Sequence, residues 1–203
     1  MNMKSNVEKA VEVLRKGGLI LYPTDTIWGI GCDARNEDAV RKVFSLKKRS
    51  DSKSLVLLAE SVDMIGVYVE EIPPMALQLL EVNDAPMTII YPGARVAHPV
   101  GKSGRNGDGL ASLCVAEDGT VGMRIPASSR FCMELLKAFG APLVSTSANV
   151  SGHPSPKGFD DVEQEIRDGV DFTVDRDCEG MSTGAGSQII KVDMDGGIKI
   201  IRA

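Results

Sequence analysis

Four small hydrogen-bonding side chains lie together in the segment Ser145-Thr146-Ser147-Ala148-Asn149. The segment follows the apolar run 142–144, which is typical of a buried strand, and ligands of open α/β sheets bind just outside the carboxyl ends of strands. We therefore interpret 145–149 as a surface for the polar edge of a ligand. The same side chains can instead satisfy local backbone groups as Asx or Ser/Thr turns, and the local pattern favours neither interpretation.

A basic cluster of Lys47, Arg49 and Lys53 falls at the end of a predicted helix and in the turn after it. A lysine ammonium and the planar fork of an arginine can together neutralise a polyphosphate. The alternative is a solvated basic helix end, which its interaction with the helix dipole stabilises. Spacing alone leaves both interpretations open.

Arg124 lies inside the strand-like segment 122–126. Charged residues are seldom buried in strands without a partner, so we expect Arg124 to contact an anion. That anion is either an internal Asp or Glu or the carboxylate of a ligand.

The elements that must position these residues alternate between helices and strands. Apolar periodicity and helix-end signals predict helices near 7–14, 36–46, 64–69, 75–80 and 128–136, the last capped by Ser128. Short apolar runs predict strands near 19–22, 55–59, 88–91, 121–125 and 143–145, and a final hairpin joins 187–192 to 198–201. We expect loops at 23–31 and in a Gly-rich stretch of about 93–119, and a capping box from Asp160 to Glu163. This order predicts an α/β fold with a mixed sheet.

Composition excludes several classes of protein. The chain has 203 residues, 43% of them hydrophobic and 25% charged, which fits one globular domain. A net charge of -5 argues against a protein that mainly grips a nucleic-acid backbone. The polar amino terminus and the lack of a long apolar run predict no membrane segment and a cytoplasmic protein. Two histidines and four scattered cysteines contain no zinc or redox motif, so we expect buried free thiols.

Four separated motifs resemble, in order and spacing, those of the Sua5/YrdC/YciO family. They are Y-P-T-D-T-I-W-G at 22–29, K-K-R at 47–49, G-M-R-I-P at 122–126 and S-T-S-A-N at 145–149. The resemblance runs from about Val7 to Arg202 and implies a twisted open mixed α/β sheet, flanked by helices, with a central ligand cavity. It also implies that 1–203 is a single YrdC-like domain without the C-terminal Sua5 domain.

The pairing of K-x-R with S-x-N is similar to the threonylcarbamoyl-adenylate synthase branch of that family. The resemblance therefore implies a nucleotidyltransferase that condenses L-threonine, bicarbonate and ATP into L-threonylcarbamoyladenylate and pyrophosphate, for t6A modification of tRNA position 37. Mg²⁺ would accompany ATP without a dedicated metal site, and downstream t6A transferase proteins and tRNA are the implied partners. Such chemistry needs alignment and charge neutralisation rather than a covalent nucleophile.

The resemblance also implies roles for individual residues. Lys47 and Arg49 would be catalytic and would bind the ATP phosphates. The other implied nucleotide contacts are Lys53, Thr88, Ser147, Asn149, Ser187 and Arg202. The implied threonine contacts are Thr24, Arg124 and Ser145.

One segment departs from the family pattern, because W-P-G-P reads Asn83-Asp84-Ala85-Pro86 here. Two alternatives therefore remain beside the synthase. An RNA-binding or ribosome-associated module of the same fold would bind RNA in a salt-dependent way without ATP or threonine, although 4% aromatic residues disfavour base stacking. A paralogue would use the nucleotide for another acyl or carbamoyl transfer.

Overall fold

The computed structural model describes residues 2–49, 55–97 and 109–203. Within these ranges the helices are α1 (Met3–Arg15), α2 (Glu37–Leu46), α3 (Val62–Tyr68), α4 (Pro74–Val82), α5 (Arg130–Phe139) and α6 (Gln164–Asp168). The strands are β1 (Ile20–Tyr22), β2 (Gly29–Asp33), β3 (Val56–Leu58), β4 (Met87–Tyr91), β5 (Val121–Arg124), β6 (Leu143–Ser147), β7 (Phe172–Thr173), β8 (Gln188–Val192) and β9 (Ile198–Arg202).

All strands of the described ranges belong to one sheet, in the order β7-β1-β2-β6-β3-β5-β4-β8-β9. The pairs β1/β7, β3/β5 and β4/β8 are parallel, and the remaining pairs are antiparallel. The predicted mixed α/β sheet is therefore confirmed. Strand β6 lies between β2 and β3, so the ligand-binding candidate segment 145–149 starts in the interior of the sheet.

The two faces of the sheet are covered differently. One face packs into a large apolar core that includes α2, and the other packs against α1 and α5 through residues such as Leu58 and Leu143. Because side chains alternate along a strand, Val56 and Ser145 share this second face and pair with each other. Both are only half-buried although they lie at the centre of the sheet. The α1/α5 layer therefore leaves the middle of this face uncovered.

Helix α2 spans the predicted residues and α1 ends within one residue of its predicted end, but α1 begins at Met3 rather than near residue 7. Gly17 adopts φ 72° after α1, a conformation that glycine reaches without steric cost. The Asn36 side chain caps α2 by accepting a hydrogen bond from the Ala39 N–H at 3.0 Å. The glycine after α1 and the asparagine before α2 were therefore sufficient to locate these two helix ends.

The predicted cap of α5 is wrong by one residue. Ser129, rather than Ser128, accepts a hydrogen bond from the Cys132 N–H at 3.2 Å. The Ser128 hydroxyl lies 3.4 Å from Asp25 Oδ2 instead. Two adjacent serines cannot be separated by local pattern, and the tertiary contact with Asp25 decides between them.

One strand, β2, was not predicted, and another, β6, is longer than predicted. The segment 23–31 is a loop only as far as Trp28, because Gly29 begins β2. Gly31 is required within that strand, since a Cβ there would lie 2.7 Å from Cε1 of Tyr22. Strand β6 also continues beyond Ser145 to Ser147. Glycine and serine are typical of loops in a sequence. Here they lie on strands, and Gly31 leaves the space that the Tyr22 ring needs.

The region around 160 differs as well. Helix α6 starts after Glu163, whose side chain makes no capping hydrogen bond, and Glu163 pairs with His153 at 2.9 Å. The predicted capping box from Asp160 to Glu163 is therefore wrong. The final hairpin of β8 and β9 is confirmed, with Gly196 at φ 86° in its turn.

All four cysteines are free and buried, as predicted; they are Cys32, Cys114, Cys132 and Cys178. Burial raises the pKa of the Cys132 thiol to about 12. This thiol is therefore neutral, and its sulfur donates a hydrogen bond to the Pro23 carbonyl at 3.4 Å. Among the described helices, none combines the length and apolar character that crossing a bilayer requires.

Candidate active site

The turn after α2 presents Lys47 and Arg49 on either side of an unusual residue. Lys48 adopts φ 50°, a left-handed conformation that is rare for a residue with a side chain. The Lys48 N–H bonds to the Ser45 carbonyl at 3.1 Å and the Arg49 N–H to the Phe44 carbonyl at 3.0 Å. These two bonds form a Schellman motif, which ends the helix and reverses the chain. The middle residue of K-x-R is thereby exposed, and its ammonium pairs with Glu165 at 2.7 Å.

Lys47 turns inward and joins the K-x-R segment to the S-x-N segment. Its ammonium donates hydrogen bonds to the main-chain carbonyls of Ser147 and, at 2.6 Å, Asn149. Its own carbonyl accepts from the Ser151 N–H at 2.8 Å. An ammonium has three N–H donors, so the two carbonyls of the described chain leave one donor for a ligand. Burial, with a contribution from the Arg49 charge, lowers the pKa of Lys47 to about 8.

Arg49 follows in the same turn. Burial lowers the pKa of its guanidinium, whose central carbon lies 6.0 Å from the centre of the Phe44 ring. Lys53, the third member of the predicted basic cluster, lies outside the described residues. The structure thus brings two of the three predicted phosphate-binding cations next to the S-x-N segment.

The serines of β6 point onto the uncovered part of the sheet. Ser145 pairs with Gly31, and Ser147 pairs with Gly29. Both serines are half-buried, whereas Thr146 between them faces the opposite, apolar core. A Cβ at Gly29 would lie 3.5 Å from the Ser145 hydroxyl. Gly29 therefore leaves space beside the Ser145 hydroxyl, whereas the Tyr22 ring fills the space at Gly31.

Thr24 lies next to this space, but its hydroxyl is already engaged. Its Oγ1 accepts hydrogen bonds from the N–H groups of Thr26 and Ile27 at 3.1 and 3.2 Å. The same hydroxyl also lies 2.7 Å from the Ile27 carbonyl and 2.8 Å from the Thr26 hydroxyl. Its methyl group lies 3.7 Å from the position of a Cβ on Gly29. Thr24 can therefore give the predicted amino-acid pocket its shape, whereas its hydroxyl holds the loop.

Arg124 has the internal partner that its place in a strand suggested. Its Nη1 donates to Asp25 Oδ1 at 2.6 Å, and its Nη2 donates to the Thr26 hydroxyl at 3.1 Å. Both charged side chains are buried, at 4% and 2% exposure. A guanidinium carries five N–H donors, so these two contacts do not exhaust its capacity for a carboxylate.

The loop that carries Asp25 is held from outside the predicted motifs. The Asp25 carbonyl accepts from the Thr183 N–H at 3.0 Å, and the Thr26 carbonyl accepts from the Gly184 N–H at 2.9 Å. Nearby, the Trp28 indole donates to Glu179 at 2.9 Å. Neither Asp25 nor the 179–184 segment was selected from the sequence. For Asp25 a usable signal was present, because T-D-T contains an acid and the strand residue Arg124 needed an anionic partner.

Thr88, Ser187 and Arg202 form a second cluster where β4 and β8 meet. The hydroxyl groups of Thr88 and Ser187 are 2.7 Å apart. Arg202 donates to the Ser187 carbonyl from Nε at 2.9 Å and from Nη2 at 2.6 Å. Strands β3 and β5 lie between β6 and β4, and three strand spacings are about 14 Å. The predicted nucleotide residues thus form two groups on opposite sides of the uncovered face.

A cavity of about 560 Å³ opens beside the Asp25 loop. Its lining includes Ser128 and the whole 83–87 segment, which departs from the family pattern. Asp25, Glu81 and Asp84 give the wall three carboxylates, so this cavity is unfavourable for a triphosphate. In the described parts of the chain, no group of three or more His, Cys, Asp or Glu side chains could hold a metal ion.

Comparisons with known proteins agree with the motifs. The family model Sua5_yciO_yrdC, described as "Telomere recombination", matches residues 12–203. A protein of Hahella chejuensis named threonylcarbamoyl-AMP synthase is 30% identical over 177 residues, which cover 87% of this chain and 89% of that protein. A Vibrio cholerae protein of the same name is 35% identical over 161 residues, covering 76% of this chain and 77% of its own.

Solved structures share the fold. P. abyssi Sua5, crystallised as a complex with L-threonine, superposes with a TM-score of 0.77 at 25% identity. The superposition covers 92% of this chain and 50% of that one. The chain therefore spans about half the length of that Sua5 protein, while it spans most of the length of the two bacterial relatives.

Proposed function

The chain belongs to the Sua5/YciO/YrdC family, and from this premise we propose that it is an L-threonylcarbamoyladenylate synthase. Its relatives in Hahella chejuensis and Vibrio cholerae carry the name of this enzyme. The proposed reaction joins L-threonine, bicarbonate and ATP into threonylcarbamoyl-AMP, with release of pyrophosphate and water. It makes the chain a nucleotidyltransferase.

The observation that carries this proposal is the contact of Lys47 with the carbonyls of Ser147 and Asn149. It unites K-x-R and S-x-N, which are a hundred positions apart in the sequence, in one place. A buried lysine and a half-buried arginine next to a segment of small polar side chains suit a triphosphate, because they supply positive charge at a site that is partly shielded from water. The solvated-helix-end alternative fits less well, since Lys47 is only 2% exposed.

The proposed chemistry uses no covalent intermediate with the protein. The threonine amine adds to bicarbonate with loss of water, and an oxygen of the resulting carbamate attacks the α-phosphorus while pyrophosphate departs. Lys47 and Arg49 offset the charge that moves to the leaving pyrophosphate. Arg124, held by Asp25, binds the threonine carboxylate, while Ser145 and the methyl group of Thr24 border the threonine side. Such alignment of two substrates is itself a large part of the rate enhancement.

The second cluster would receive a further part of the nucleotide. Strand β4, which carries Thr88, lies about 14 Å from β6 across the sheet, a distance that an extended ATP molecule can span. Magnesium is proposed to enter as MgATP, with the phosphates supplying most of its ligands, because Mg²⁺ commonly binds substrate phosphates with few protein groups. We further propose a cytoplasmic reaction whose product passes to t6A transferase proteins and from them to tRNA.

Pyrophosphate release and transfer of ¹⁴C from bicarbonate into a nucleotide product test the proposal. We expect both signals to require MgATP, L-threonine and bicarbonate together, and to be lost in Arg49→Ala. Arg41→Ala is the matched control, because Arg41 is an exposed arginine of α2, the helix that precedes the turn with Arg49. A folded wild-type protein that makes no product, but binds RNA without ATP or threonine, would establish the RNA-binding alternative instead.

A further inference from the structure

The Asn149 side chain is buried at 7% exposure, and its amide nitrogen is fully used. Nδ2 donates to the Val150 carbonyl at 3.0 Å and to the His153 carbonyl at 2.7 Å. A primary amide nitrogen has two N–H donors. Both donors of Asn149 therefore serve to close the turn that follows β6.

These contacts also fix which way the amide faces. With the nitrogen and oxygen exchanged, Oδ1 would face two carbonyl oxygens at hydrogen-bonding distance, with no proton between them. The observed orientation leaves Oδ1 as a buried acceptor that has no hydrogen-bond partner among the residues the structure describes. A buried polar atom without a partner is destabilising, so a ligand that supplies the missing donor gains affinity from this contact.

The chemistry of this acceptor excludes a phosphate. At neutral pH the bridging and terminal oxygens of a triphosphate are acceptors, and they would repel a second acceptor. The charge that is proposed to bind phosphate lies next to this residue, since the Lys47 ammonium is 2.6 Å from the main-chain carbonyl oxygen of Asn149. A magnesium ion could accept an amide oxygen as ligand, but the adjacent lysine charge disfavours a dication. The remaining match is a neutral O–H or N–H donor.

We infer that Asn149 Oδ1 accepts a hydrogen bond from the nucleoside half of ATP, from a ribose hydroxyl or the 6-amino group, and does not contact the phosphates. This inference rests on the proposed function, because ATP is the ligand that it subdivides. It gives the two halves of S-x-N different tasks. The main chain of Ser147 and Asn149 holds Lys47 for the phosphates, while the Asn149 side chain recognises the nucleoside.

Calorimetric titration with five probes tests this assignment. The probes are ATP, 2′-deoxyATP, 3′-deoxyATP, inosine triphosphate, which lacks the 6-amino group, and inorganic tripolyphosphate, each with and without Mg²⁺. The proteins are wild type, Asn149→Ala and the control His153→Ala. The His153 side chain is exposed, and its substitution keeps the carbonyl that Asn149 binds. Thermal melting checks that each variant is folded.

On wild type, we expect one of the three analogues to bind about 5- to 30-fold more weakly than ATP, the effect of one hydrogen bond. In Asn149→Ala, the affinity for ATP should fall by that factor. The affinity for the same analogue should fall no further, and the affinity for tripolyphosphate should equal that of wild type. Equal binding of all analogues by wild type would overturn the inference, and this comparison needs no variant. If Asn149→Ala changes the affinity for tripolyphosphate, the inference would be overturned in favour of a phosphate contact. If the substitution changes affinity only in the presence of Mg²⁺, it would be overturned in favour of a metal contact. Failure of wild type to bind ATP would overturn the proposed function as well, whereas the other outcomes leave the synthase intact.

Discussion

Arg124 Nη1 lies 2.6 Å from Asp25 Oδ1, and each of the two side chains is less than 5% exposed. The pair joins the centre of the sheet to the loop after β1, across 99 positions of the chain. A buried ion pair adds little net stability, but removal of one partner leaves a buried charge without compensation. The pair therefore holds the arginine in place at the cost of making both residues indispensable.

The first prediction concerns this pair. Asp25→Ala should lower the free energy of unfolding by about 3–5 kcal/mol, because the guanidinium remains buried and unpaired. Urea denaturation measures this change. Glu134→Ala is the control, since Glu134 pairs with Arg130 on the exposed surface of α5 at 3.6 Å, and such pairs contribute about 0.2–1 kcal/mol. A similar loss in both variants would contradict a special role for Asp25.

The second prediction concerns pH and Lys47. Because its pKa is lowered to about 8, the amine loses its charge as pH rises from 7 to 9, and ATP binding should weaken. Stability should change in the opposite direction. Between about pH 8 and the unfolded value of about 10.4, the unfolded chain keeps a proton that the folded chain has released, so the unfolding free energy rises with pH.

Calorimetry and urea denaturation at pH 7, 8, 9 and 10 measure the two trends. The ATP affinity and the unfolding free energy are compared with those of Lys47→Met, in which neither pH trend should appear. The Arg49 guanidinium stays charged throughout this range, so it does not contribute a slope. Parallel loss of ATP affinity and of the Lys47-dependent stability would be the wrong sign and would refute the prediction.

The third prediction concerns Lys48 and its left-handed conformation. Lys48→Gly should be more stable than Lys48→Ala by about 1 kcal/mol, because only alanine pays the steric cost of φ 50°. Both variants lose the pair with Glu165, so the difference isolates the backbone. At Arg41, inside the same helix, glycine should instead be less stable than alanine by about 1 kcal/mol. The same order at both sites in thermal unfolding would count against the Schellman turn.

The fourth prediction separates the two substrates along β6. Ser145→Ala should raise the KM for L-threonine about tenfold, the effect of one lost hydrogen bond to a charged group, while the Kd for ATP stays within twofold. Thr146→Val is the control, because Thr146 faces the opposite core. Steady-state kinetics with threonine varied, beside ATP titration, provide the measurement. If Ser145→Ala weakens both substrates equally, the assignment of Ser145 to the threonine side fails.

Much of the fold could be predicted from local signals. The glycine pair after α1 and the asparagine before α2 fix helix ends through backbone chemistry that acts within a few residues. The hairpin of β8 and β9 was predictable for the same reason. The strand β2 was not, because Gly31 leaves room for the Tyr22 ring, and that need exists only after β1 and β2 have paired.

The sequence by itself determined which residues are available for the proposed chemistry: K-x-R, the strand arginine and S-x-N are present at fixed positions and are charged or polar whatever the fold. Only the tertiary structure decided what each is free to do. Contacts across about a hundred positions bind Lys47 to two carbonyls and Arg124 to Asp25. Contacts within the folded loops engage the Thr24 hydroxyl and the Asn149 amide nitrogen, and among the described residues they leave the Asn149 side-chain oxygen without a donor. Hydrogen-bond capacity is finite, so the donors and acceptors that remain for a ligand are known only when the folded chain has used the others.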